Sequence, residues 1–137
     1  MPRILAIDYG QKRSGIAISD PLRIIASGLT TVETPKLISF LRDYFSQEEV
    51  NLIVVGLPKQ MNNTASESEP AILNFIEDLK RSFSGLEIVR YDERFTSKMA
   101  TQAMISGGMR KSKRREKGMI DKISATLILQ GFMDSLR

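Results

Sequence analysis

The fold turns on residues 3–20, RILAIDYGQKRSGIAISD. Residues 3–8 are apolar on both alternating faces until Asp8, the pattern of a strand buried on both sides in the middle of a sheet. Residues 9–15 carry two glycines among polar side chains and read as a turn, and residues 15–20 read as a second strand. Two strands joined so closely pair antiparallel, as a hairpin. Pro21 stops the second strand, and residues 24–33 supply a third, with Gly28 as the place for a bulge.

Beyond this meander the chain alternates helix and strand. Thr34-Pro35 predicts a helix start, with Thr34 as N-cap, Pro35 at the first position, and Leu37, Ile38, Leu41 and Phe45 at helical spacing. Residues 51–56 form a buried strand reached through that helix, hence parallel to its partner; Leu57-Pro58 ends it, and 59–65 is a polar loop. Ser66 and Glu69 have capping-box spacing, although Pro70 can equally mark a first helical turn. Ile72, Ile76, Leu79 and Phe83 are the buried stripe of that helix, which Gly85 ends. Residues 86–91 are the last strand, and Thr96 caps a short helix reaching Ser106 before Gly107-Gly108. A final helix spans 119–136 with Ile120, Ile123 and Leu127 facing inward. The order β-β-β-α-β-α-β-α-α predicts an α/β fold, a mixed five-stranded sheet flanked by helices, in a single domain over residues 1–137.

Composition narrows the chemistry. The 137 residues include no Cys and no His, which excludes disulfides, thiolate nucleophiles, His general bases and zinc held by either residue. Catalysis must then use carboxylates, Lys, Arg, Tyr, hydroxyls or a metal on oxygen ligands, and hard cations such as Mg²⁺ or Mn²⁺ suit those ligands best. No run approaches the roughly 18 apolar residues of a membrane span. Arg3 comes too early for a secretory signal, so the expected location is the cytoplasm. The net charge of +4 is uneven: residues 110–117 hold six basic and one acidic side chain, leaving −1 for the rest. Such a segment is either a solvated loop or a contact for nucleic-acid phosphates.

Asp8 ends an apolar strand, where a carboxylate is costly unless it is paired or faces a cleft. In an open α/β sheet, sites form beyond the carboxyl ends of the strands. Asp92-Glu93 sits at the corresponding end of the last strand, and Asp121 joins if the last helix packs its first turn against that edge. Taken singly, Asp8 can be a turn former, Glu93 a partner of Arg94, and Asp121 an acid at a helix N-terminus. Together, neighbouring carboxylates need a cation, and two metals about 3.5–4 Å apart are a known solution for phosphodiester cleavage. A glycine-bearing hairpin also cradles phosphates in actin-like ATPases and sugar kinases, but those duplicate the domain and need far more than 137 residues.

Four motifs then occur in order: Asp8-Tyr9-Gly10 with Gly15-Ile16-Ala17, Gly56-Leu57-Pro58, Asp92-Glu93-Arg94-Phe95-Thr96-Ser97, and Asp121-Lys122 with Ser124-Ala125 and Ile128-Leu129-Gln130. Over nearly the whole chain this resembles the YqgF family of pre-16S rRNA nucleases, also described as Holliday-junction-resolvase-like. The resemblance implies a ribonuclease H-like fold, divalent-metal hydrolysis of phosphodiester bonds and maturation of the 5′ end of 16S ribosomal RNA. Its partner is then the rRNA precursor or the pre-ribosomal particle. The family's acidic positions fall on Asp8, Glu93 and Asp121, which become the expected catalytic residues and ligands of two Mg²⁺ or Mn²⁺ ions. Asn63 stands where the family's loop after Gly-Leu-Pro usually has Gly, and Asn tolerates a left-handed backbone better than most residues. Arg94 and Lys98, with Arg110, Lys111, Lys113, Arg114, Arg115 and Lys117, are the candidates for binding flanking phosphates. Tyr9, Tyr91 and Phe95 lie near the crevice but are as well suited to core packing as to base stacking. The competing readings are a junction-resolving DNA endonuclease and a non-catalytic RNA- or ribosome-binding protein on the same fold.

Overall fold

The computed structural model describes residues 2–57, 69–92 and 117–136, with side chains in the last stretch from Lys122 onward. Its elements are β1 (Arg3–Asp8), β2 (Arg13–Ser19), β3 (Ala26–Glu33), a 3-10 turn (Thr34–Lys36) leading into α1 (Leu37–Phe45), β4 (Val50–Leu57), α2 (Glu69–Ser82), β5 (Glu87–Asp92) and α3 (Lys117–Ser135). They build one five-stranded sheet in the order β3-β2-β1-β4-β5. β2 is antiparallel to β1 and to β3, whereas β4 runs parallel to β1 and to β5. The mixed α/β sheet expected from the sequence is therefore the one observed.

The apolar residues of β1 serve two cores, because successive side chains leave opposite faces of a strand. Leu5 and Ile7 join Ile16, Ile18 and Ile53 under α1 and α2, where Leu37, Leu41, Ile72 and Leu79 close the layer. Ile4 and Ala6 join Ala17, Leu52 and Val54 on the other face, where Ala125, Ile128, Leu129 and Met133 of α3 close it. Leu5, Ile7, Ile128 and Leu129 are all fully inaccessible to solvent. Removing apolar surface of this kind from water contributes about 25 cal/mol per Å². Burial on both faces is why β1 reads as an unbroken apolar run.

Several local expectations change. α3 turns inward with Ala125, Ile128, Leu129 and Met133, while Ile123 and Leu127 are only partly buried; the side chain of Ile120 is outside the described ones. The third strand starts at Ala26, not residue 24, since Ile24 and Ile25 belong to a turn where their N–H groups donate to Asp20 Oδ1. Thr34 is not a helix cap: Glu33 caps the 3-10 turn, Lys36 stands at the N-cap of α1, and the Thr34 hydroxyl donates to Gly10 instead. The irregularity near Gly28 is real but falls on Leu29, skipped where Ile16 pairs with Thr30 and Ala17 with Gly28. The second strand runs Arg13–Ser19 instead of 15–20, and the other strand ends move by a residue, as element ends commonly do. α2 begins at Glu69 with Pro70 in its first turn. The loop from residue 59, Ser66 and the short helix expected from Thr96 lie outside the described residues.

Candidate active site at the carboxyl edge of the sheet

β1, β4 and β5 are parallel, so their last residues Asp8, Leu57 and Asp92 leave the sheet along one edge. Asp8 pairs with Gly15 of β2 and alternates with Ile4 and Ala6, which places it on the face covered by α3. The chain after it is held by a closed set of hydrogen bonds. Thr34 Oγ1 donates to Gly10 O at 2.6 Å, and Gly10 N–H donates to Ser14 Oγ at 3.3 Å. With Thr34 Oγ1 and Ser14 Oγ 2.9 Å apart, the Ser14 hydroxyl is left to donate to Thr34 and every member is used. Ser14 is completely buried, so this polar ring is worth having only because it is complete. Gly10 is required by close approach: a Cβ there would stand 2.2 Å from the Arg13 carbonyl oxygen.

α3 brings its N-terminal end to the same edge. Gln130 accepts from Ala26 N–H at 3.0 Å and donates to Ile24 O at 3.2 Å, near the start of β3. Eight residues earlier along α3, the Lys122 stem lies on Gly28. α3 thus runs opposite to β3, and because β3 is parallel to β1 its first turns point toward the Asp8 end. The backbone of Asp121 lies in those turns, and Lys117 is the first residue of the helix. Glu93, Arg94 and Lys98 lie outside the described residues, as do Arg110, Lys111, Lys113, Arg114 and Arg115. Among the described residues Asp8 and the leading end of α3 meet at one edge, and no group of three carboxylates is assembled.

An ion pair that the sequence reading missed braces this edge. Arg90 Nη2 lies 2.8 Å from Glu69 Oε1 at the start of α2, and the same guanidinium donates to Val55 O at 3.2 Å and Gly56 O at 2.9 Å. The fork shape of Arg lets one side chain serve a carboxylate and two carbonyls together. Its signal in the sequence was an Arg between Val89 and Tyr91 in a strand otherwise built for burial. Two aromatic candidates belong to the packing: Tyr9 stacks obliquely on Phe75 at 5.1 Å, and Tyr91 meets Phe132 edge-on at 6.4 Å. A cleft of about 420 Å³ between Phe45, Val50 and Phe83 lies at the opposite edge, and Glu48 and Glu49 on its wall disfavour phosphate.

The model of the RuvX family, described as Holliday junction resolvase, matches residues 2–135. The chain belongs to the RuvX family. It is 55% identical over 133 residues to a Christiangramia forsetii protein, covering 97% of this chain and 98% of that one. It is 53% identical over 137 residues to one from Flavobacterium johnsoniae, covering 100% and 99%. Both relatives carry the name "Putative pre-16S rRNA nuclease". In fold, this RuvX-family chain is similar to Fowlpox virus resolvase solved with Holliday junction DNA, with a TM-score of 0.60 at 14% identity over 98% of each chain. It is similar also to Thermus thermophilus RuvC solved with a Holliday junction substrate, with a TM-score of 0.57 at 15% identity over 99% of this chain and 96% of that one. The fold is ribonuclease H-like, as the sequence resemblance implied, and the chain is a nucleic-acid-binding nuclease, a hydrolase of phosphodiester bonds. No helix among the described residues is long and apolar enough to cross a membrane.

Proposed function

We propose that this chain, acting as one domain over residues 1–137, cleaves the 16S rRNA precursor during maturation of its 5′ end, in the cytoplasm and on the pre-ribosomal particle. Its reaction centre is Asp8, Glu93 and Asp121. The observation that carries this reading is the position of Asp8: it closes the doubly buried central strand at the edge to which α3 directs its first turns. The donor set fits hard cations, since a chain without His or Cys offers only oxygen ligands there. Mg²⁺ or Mn²⁺ held by these carboxylates supplies water activation near neutral pH and charge stabilisation at the leaving oxygen. The protein's own part is to hold Asp8 in place, through the Gly10–Ser14–Thr34 ring, and to grip the flanking phosphates with Arg94, Lys98 and the 110–117 cations.

The test is to incubate the protein with 16S precursor, a four-way DNA junction and single-stranded RNA in Mg²⁺ and in Mn²⁺, with Asp8→Asn alongside. The wild type is expected to cut the precursor, and Asp8→Asn to fall to background while still binding RNA. Full activity in Asp8→Asn, purified free of host nucleases, removes Asp8 from the chemistry. A second reading, a junction-resolving endonuclease, is favoured by the family description and by the fold shared with two resolvases. Preferential cutting of the four-way junction would establish it instead.

A further inference from the structure

We propose that Arg13, the first residue of β2, is a phosphate-binding residue of the nuclease, gripping the substrate backbone on the β2–β3 flank of Asp8. The inference rests on the cleavage centre proposed around Asp8 and adds to it a contact separate from the 110–117 segment. Placement comes first. Asp8 pairs with Gly15, and Arg13 is two residues nearer the turn on the same strand, so both side chains belong to the face covered by α3. Diagonal neighbours of this kind lie about 7–8 Å apart. Gly15 between them carries no side chain.

The second observation is a donor of Arg13 that no protein group uses. Its Nε is shut off from solvent yet meets no acceptor. The ladder does supply an obvious partner, because Glu33 of β3 stands directly opposite Arg13. That carboxylate is engaged elsewhere, 3.5 Å from Lys36 Nζ. Buried donors in native proteins nearly always have partners, so one held without a protein acceptor calls for another, and a bound phosphate oxygen supplies it. Guanidinium is the group best matched to phosphate, offering two parallel N–H donors to two oxygens. The surroundings favour an anion as well: Lys12 is exposed next to Arg13, and the stem of Lys122 crosses the same face over Gly28.

The experiment measures binding of a short labelled RNA to the Asp8→Asn protein in Mg²⁺ across a salt series, with Arg13→Gln or Arg13→Lys added. Turnover by Arg13→Gln alone and thermal unfolding of every variant are measured beside it. Arg13→Gln is expected to weaken binding about tenfold, the scale of one charge-assisted hydrogen-bonded contact. The log–log salt slope should flatten by about 0.7–0.9, the value of one phosphate contact. Arg13→Lys should restore the slope but not the whole affinity, since it returns the charge without the fork. In turnover the loss should appear in KM, with the unfolding midpoint unchanged. An unchanged affinity and slope in Arg13→Gln would overturn the proposal. So would a binding loss that tracks a lowered unfolding midpoint and is not recovered in slope by Arg13→Lys. Turnover retained in Asp8→Asn sinks the cleavage centre instead, an outcome separate from either.

Discussion

Asp20 shows how much a single side chain can decide. Its Oδ1 accepts the N–H of Ile24 at 2.7 Å and of Ile25 at 2.8 Å, and its carbonyl accepts the N–H of Arg23, which sits in the left-handed region at φ 59°. The Ile25 N–H above all, joined by that of Ile24, holds the Asp20 carboxyl below its ordinary value of 3.8 despite some desolvation. A folded pKa below the unfolded one means stabilisation that is complete above about pH 4 and lost as pH falls through the folded value. Asp20→Ala should therefore unfold at a lower temperature than wild type at neutral pH, with the gap closing as pH is taken from about 5 to 2. A gap that stays constant with pH would show that the charged carboxylate contributes nothing. This turn was misread in the sequence because Ile24 and Ile25 are strong strand formers, and pattern alone cannot see a carboxylate taking the place of a ladder. Thr34 misled for a related reason: its hydroxyl serves a chain segment 24 residues away, not the next turn of its own.

At the scale of elements, the strands and the span of the last helix were legible, and the rotation of that helix was not. β1 and β4 declared themselves by apolar runs of strand length, and their parallel pairing followed from the intervening helix. α3 carries apolar residues nearly all the way round, so no polar stripe fixed its rotation; the reading chose Ile123 and Leu127 over Ile128 and Leu129. What turns it is small-residue contact. A Cβ added to Gly131 would stand 2.7 Å from the hydroxyl and 3.1 Å from the ring carbons of Tyr91, so any larger residue there must displace the Tyr91 ring or the helix. Gly131→Ala should destabilise by about 1–3 kcal/mol, the usual cost of overpacking. In a denaturant-unfolding double-mutant cycle, Tyr91→Phe removes the nearest atom, so the pair should cost less than the sum of the singles. Strict additivity would place the source of the cost elsewhere.

Across the whole molecule, charge and chemistry are segregated. The described sheet offers Asp8, the brace of Arg90 and the cations Lys12 and Arg13, whereas the net positive charge belongs to residues 110–117. Neutralising Lys113, Arg114 and Arg115 together should weaken nucleic-acid binding across sequences and reduce the salt slope by roughly two. An unchanged slope would make that segment a solvated stretch with no part in binding. The hairpin half of the candidate site was legible because its glycines and its carboxylate sit within a few residues of one another. The other half, Glu93 and Asp121, was legible only through its motifs, since each carboxylate lies far along the chain from Asp8.

The Arg90–Glu69 fork carries a consequence of another kind. By fastening the beginning of α2 to the last carbonyls of β4, it fixes the two ends of the intervening stretch before that stretch adopts any conformation of its own. Closing a loop whose ends are already held costs little more as its sequence or length drifts. The clasp therefore sets where the chain leaves β4 and where it enters α2, whatever joins the two.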